Sequence, residues 1–292
     1  MSTSSTLDRP RVAPPRVAPT RLVGLRLFRS ELRLVLRRRR NLALIAVLCC
    51  FPVLIGAAVN WSSPPQDGEG PPFLSQVTDN GLFLVFTSLT VLLPFFLPLA
   101  VSVASGESIA GEASIGTLRN LLVVPVSRTR LLVVKYAATV VFAFACVVAV
   151  ALVGIVVGLV LFPHGDVTLL SGSVVSYGGA AWRTVLVALY VTAMLGGIAA
   201  IGLFISTLTE VPIGAMAATA VITIVSQIAD AIPQIRAVHP YLLSHPWLNF
   251  GDVLRSPIEW HGIQTGLLTQ LAYCAVFLPL AWYRLQTKDV TS

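Results

Sequence analysis

The residues of this chain that could do chemistry are few, and their spacing rules out several reactions. Only two lysines are present, Lys135 and Lys288, preceded by Val134 and Thr287. A phosphate-binding P-loop needs Gly-Lys followed by Ser or Thr, because the lysine reaches the phosphates from a glycine-rich turn. The chain cannot hold ATP in that way. Its four histidines, His164, His239, His245 and His261, all fall between apolar runs. The last three have a spacing unlike the usual zinc-ligand patterns, so no metal is expected and they read as loop or gate residues. HExxH, GxSxG and paired carboxylates on one helix face are absent from the sequence, and no enzymatic role is expected. Ion-coupled transport needs ionisable groups at membrane depth, which are costly there and kept for function. The acids beside apolar runs, Glu107, Glu210 and Asp230, fall at or near the ends of those runs. A boundary shift of one turn would bury Asp230.

Polar residues concentrate instead in ESIAGEASIGTLRNLLVVPVSRTRLLVVK, residues 107–135. Gly111 and Gly116 permit tight turns or close backbone approach. TLRNLLVV can form two helical turns with Leu118, Leu121 and Leu122 on one side. Pro125 ends it, since the residue before a proline avoids helical geometry. Ser127 is placed to cap the next helix. An ordinary surface loop with capping residues carries the same local signals as a docking element for a partner.

The elements that must position this stretch are membrane helices. The 292 residues are 55% hydrophobic and only 11% charged, with a mean hydropathy of +0.83. Soluble domains carry about a quarter charged residues. Apolar blocks at about 41–60, 81–106, 131–162, 181–207, 211–232 and 263–283 are each of spanning length. The expected fold is therefore an all-α polytopic membrane protein with six spans. The third block exceeds a perpendicular crossing and should tilt or project. The split between the fourth and fifth rests on the short break TLTEVP at 207–212. Cys49, Cys50, Cys146 and Cys274 lie inside apolar runs and read as packing residues.

Charge sets the expected orientation. Of the twenty Lys and Arg, eleven precede residue 41, all of them Arg, and the net charge is +7. This block runs straight into the first apolar segment, so it reads as a cytoplasmic anchor and no nucleic acid is needed to explain it. It is too long for a signal peptide. Residues 1–19 are expected to be a disordered tail. Over 20–40, Arg26, Arg29, Arg33, Arg37 and Arg40 share one helical face, and Leu25, Phe28, Leu32, Val35 and Leu36 share the other. Such a helix lies in the headgroup layer with membrane lipids as partners, or binds a protein partner. The loop after the first span has Asp67, Glu69 and Asp79 without a basic residue, whereas the next has Arg119, Arg128, Arg130 and nearby Lys135. The loop after the third span has no Lys or Arg before Arg183, and the tail 284–292 carries Arg284 and Lys288. Both termini are thus expected in the cytoplasm. The 233–262 segment is nearly balanced in charge, and only the parity of crossings places it outside.

On Glu107, Gly111, Glu112, Gly116, Thr117, Leu118, Leu121, Leu122, Pro125, Val126, Ser127, Arg128, Leu131, Leu132 and Lys135, the central stretch resembles the signature loop of the ABC-2 type permeases. These are the membrane subunits of bacterial type V ABC exporters. The layout is similar too, with a connecting helix at 20–40 ahead of a six-helix domain over 41–283. The stretch HPYLLSHPWLNFGDVLRSP (239–257) is similar to the last external loop of some actinobacterial members.

The resemblance implies a division of labour. A separate ABC ATPase subunit dimer binds ATP and Mg and drives the permease through the coupling loop 107–130. Thr117 to Val124 form the coupling helix, Arg119 and Arg128 supply charge-assisted contacts, and Glu107 and Glu112 pair with basic groups on the ATPase or the connecting helix. A second permease, the same chain or a similar one, completes the complex. The second and fifth spans line the path. There Pro94 and Pro98 can kink the helix and free carbonyls for neighbours to satisfy. Phe95 and Phe96 face an apolar substrate in one reading, and lipid or a packing partner in the other. Residues 233–262 form an external re-entrant gate containing His239, Tyr241, His245 and Trp247. The expected function is export of an apolar or amphipathic cargo (drug, antibiotic, lipid or peptide), as in multidrug efflux. An ion-coupled carrier working without an ATPase is the alternative, and a membrane anchor without a transport path is a third reading. The preference for Arg over Lys, with abundant Ala and Val, points to a GC-rich bacterium and hence its cytoplasmic (inner) membrane.

Overall fold

The computed structural model describes residues 20–61, 73–114, 116, 127–163 and 165–287, with side chains from residue 26 onward. The expected tail 1–19, Asp67 and Glu69, His164, and the expected coupling residues Thr117, Leu118, Arg119, Leu121, Leu122 and Pro125 lie outside these residues. Helix α1 (Thr20–Arg37) stops one residue before α2 (Arg39–Trp61), the first span. Asn41 settles the break, because its Nδ2 donates to the carbonyl of Val35 (2.8 Å), an acceptor that the interrupted helix leaves open. Arg26, Arg29, Arg33, Arg37 and Arg40 are all exposed. Val35 and Leu36 on the other face pack against the protein core. The helix thus rests this face on the bundle and leaves its arginines outward.

A short α3 (Leu74–Val77) leads into the second span, which is two helices, α4 (Phe83–Leu92) and α5 (Phe96–Ser114), bent by 58°. The third span is α6 (Arg128–Leu161), whose first turn is capped by Ser127, its Oγ accepting from the Arg130 N–H at 3.4 Å. A two-stranded hairpin, β1 (Val167–Thr168) against β2 (Val174–Val175), precedes the fourth span α7 (Tyr177–Leu208). Thr209 is extended, so the break at 207–212 is real, and α8 (Pro212–Asp230) is the fifth span. The sixth is α9 (Trp260–Thr287). Five helices and the bent pair are long and apolar enough to cross a membrane, and the all-α polytopic class stands.

The core is built around α7, which packs on α5, α6, α8 and α9. Its apolar residues are not confined to one stripe, as a helix enclosed on all sides requires. Three of its glycines each seat a polar side chain from a different neighbour: Tyr136 of α6 at Gly196, Gln270 of α9 at Gly197, and Ser105 of α5 at Gly202. Small residues allow this closeness, which in a membrane replaces the hydrophobic drive between helices. A second close crossing brings Gly81 and Gly158 together, where a Cβ on either would overlap the other's backbone carbonyl.

Candidate functional site

Three groups of side chains gather where the 107–130 stretch meets the bundle. Lys135, in the second turn of α6, has only 2% of its side chain exposed. Taking an ammonium out of water costs several kcal/mol unless it is paired and hydrogen-bonded. Its Nζ reaches Glu112 Oε1 of α5 at 2.6 Å, the Ser108 carbonyl at 2.9 Å and Glu31 Oε2 of α1 at 3.5 Å. One lysine therefore ties three helices. Beside it, Glu107 takes Arg38 at 2.5 Å and also Arg40, both at the junction of α1 and α2. Glu107 so pairs with the basic helix junction, while Glu112 turns to the third span. Gly111, between them in sequence, lies over the Glu107 side chain.

The other flank of the loop is held differently. Arg128 Nη1 donates to the carbonyls of Leu285 (2.7 Å) and Gln286 (2.8 Å) at the end of α9. Those carbonyls are among the last of a helix and have no intrahelical donor. In this chain Arg128 caps the sixth span through Nη1. Gly116 has a φ of +69°, a left-handed turn that glycine takes without strain. The basic helix, this loop and the end of the sixth span therefore meet at one end of the bundle.

A hollow of about 370 Å³ lies farther along, between the bent second span and α8. Pro94, Phe95, Phe96, Pro98 and Leu99 form one wall, and Ala220, Thr223 and Ile224 the other. Phe95 is 56% exposed and Ile224 38%, so the hollow opens on the outside of the bundle. Phe96 also leans on Phe51 of the first span, with ring centroids 4.4 Å apart. The bend has a local cause. Pro98 has no N–H, so the carbonyl four residues earlier, at Pro94, loses its helical donor. The amide of Gln227 on α8 donates to it instead. At the other side of the hollow α5 and α8 touch so closely that a Cβ on Gly106 would sit 2.7 Å from the Met216 backbone nitrogen.

A bent, apolar-walled second span thus faces the fifth, and both flanks of the 115–127 stretch are tied to the bundle. A family model described as ABC-2 family transporter protein matches residues 28–226. The chain belongs to this family. A comparison with the curated proteins matches none of them. An ABC-2 permease is the membrane subunit of an ABC transporter and not its ATPase. The matched range of the permease begins in α1 and ends inside α8, so it takes in the polar cluster and the hollow.

Beyond the match, the stretch of the permease expected to form the external gate contains three 3-10 segments, Pro233–Ile235, His239–Tyr241 and His245–Leu254. They lie at the end opposite Lys135, since α8 meets Gly106 with its first turns and Asp230 closes its last. Backbone that cannot form α-helical bonds must find other partners wherever water is excluded. Arg183 donates to the carbonyls of Val253 (2.5 Å) and Arg255 (2.8 Å), Tyr190 to Pro246 (2.7 Å), and Gln270 to Leu243 (2.9 Å). Trp247 is 2% exposed and anchors the segment in the core, while Tyr241 is 75% exposed. His239 and His245 come together on Asp230, and His261 lies apart at the start of α9.

Sequence reasoning missed Glu31, Gln227, Gln270 and Arg183. Glu31 is the only acid within 20–40 and Lys135 the only lysine in a span, and that pairing was the available signal. The two glutamines are polar residues in apolar runs, which in a membrane helix need a partner.

Proposed function

We propose that this permease is the membrane half of an ATP-driven exporter in the cytoplasmic membrane of a bacterium, moving an apolar or amphipathic cargo outward. ATP, with Mg, is bound and hydrolysed by a partner ATPase dimer. The observation that carries this reading is the wiring of the 115–127 loop. Its leading flank, through Glu112 and Lys135, holds α1, α5 and α6, and its trailing flank, through Arg128, holds α9. A push that reaches these flanks passes into four helices. The arginine-rich end is the cytoplasmic end by the positive-inside rule, so the loop faces the compartment that contains ATP. The hollow has the volume and apolar lining of a site for a drug-sized molecule. Facing a second permease, its open side would become an enclosed path.

The test is transport in inverted membrane vesicles from cells that express the permease together with its neighbouring genes, among which the partner ATPase is expected. Wild type is expected to co-purify with that ATPase and to accumulate an apolar dye on addition of ATP. Leu118→Asp and Leu121→Asp are expected to abolish accumulation and co-purification while the permease still inserts. Unchanged transport in both variants would remove the coupling assignment. Pumping by the permease alone on a proton or sodium gradient would replace it with an ion-driven carrier.

A further inference from the structure

Asp230 ends α8, and the 3-10 turns that follow bring two imidazoles onto its carboxylate. His245 Nδ1 lies 2.7 Å and His239 Nδ1 3.7 Å from the same oxygen, Oδ1. The three ligand atoms are all within 4.8 Å of one another. The other nitrogen of His239, Nε2, is 3.0 Å from the carbonyl of Ile232. A carbonyl oxygen only accepts, so Nε2 is the donor there and His239 turns its Nδ1 toward the carboxylate. Either a proton on that nitrogen or a metal ion can sit between it and Asp230, and the second imidazole on the same oxygen makes three ligand atoms available to an ion.

We propose that Asp230, His239 and His245 form a Zn²⁺ site. Two imidazoles and a carboxylate suit zinc, and three protein ligands leave a fourth position for water. Bonds of about 2.0–2.1 Å in a tetrahedron place donor atoms roughly 3.3 Å apart, between the two separations found here. The Ile232 carbonyl is the outer partner that a metal-bound histidine characteristically has, fixing its tautomer and ring. The ligands are reachable from solvent, with side-chain exposures of 13% for His239, 29% for Asp230 and 45% for His245. From sequence, only His239, His245 and His261 could be combined into a zinc site, and their spacing fits no usual ligand pattern. The fold supplies Asp230 instead. Zinc here would staple the turns at 233–245 to the end of α8, the helix that walls the hollow. The site lies past residue 226, outside the range matched to the family. It does not depend on what the permease transports.

The experiment is calorimetric titration of Zn²⁺ into the full-length permease in detergent, purified on a tag without histidine. One Zn²⁺ per chain with micromolar or tighter affinity is expected. His239→Ala and His245→Ala should each weaken it at least about tenfold, the loss that even an outer partner of a metal ligand produces. His261→Ala should bind as wild type, and all variants should elute alike on gel filtration. Absence of stoichiometric binding by wild type overturns the site. So does binding that survives both substitutions, and the contact of His245 with Asp230 would then be a plain hydrogen-bonded latch.

Discussion

The side-chain amide of Gln227 on α8 donates to the backbone carbonyl of Pro94, across the bend in the second span. The donor replaces the N–H that Pro98 lacks, so a side chain 129 positions away in sequence completes the backbone of the bend. Gln227→Leu should leave that carbonyl without a donor and cost about 1–3 kcal/mol. Adding Pro98→Ala restores an N–H at the helical position. The double variant should regain most of the loss while straightening the span and losing transport. Unfolding in detergent gives the first result and vesicle uptake the second. Equal stability of Gln227→Leu and wild type would show that the bend does not need this donor.

Lys135 offers a second separation of stability from coupling. Lys135→Met leaves Glu31 and Glu112 facing each other without their cation, with 10% and 13% of their side chains exposed. Removing one partner of a buried pair costs about 3–5 kcal/mol. Combining it with Glu31→Gln and Glu112→Gln removes the stranded charges and should recover most of the stability. The triple variant should fold yet transport poorly, because α1, α5 and α6 are no longer fastened at one point. Full transport by a well-folded triple variant would show that the cluster is only structural.

The hollow predicts a size-dependent effect. Ile224→Trp adds bulk to a wall residue that is already 38% exposed, so folding should be nearly unchanged. Export of bulky apolar substrates should fall several-fold more than export of small ones, as relative uptake rates in vesicles would report. A uniform fall across sizes would place the path elsewhere.

The spans were legible because each apolar block is long enough to cross a bilayer. Ser127 and the proline pair were legible because capping and a missing N–H act within a few residues. Partners were not. Nothing local says that Pro94 will meet Gln227, or that Glu112 will turn to Lys135 while Glu107, five residues earlier, takes the arginines of the junction. Glu31 was hidden among the arginines around it, and its face of α1 became meaningful only once α6 was packed there. The two histidines are six residues apart, a spacing that fits neither one helix face nor a zinc motif. Their meeting depends on 3-10 turns, which hydrophobic periodicity does not reveal. The orientation of Arg128 toward the last carbonyls of α9 depends likewise on tertiary placement.

The crossing of Gly81 and Gly158 has a mechanical corollary. Thirty residues separate Gly158 from Arg128 along one unbroken helix, about 45 Å at 1.5 Å per residue. A swing of about ten degrees, with that crossing as fulcrum, carries Arg128 through roughly 8 Å but Ala151 through only about 2 Å. Force applied at the arginine end is thereby multiplied roughly fourfold near the fulcrum. Long, weak travel at one end would be geared into short, strong displacement at the other, by the rigidity of a single helix.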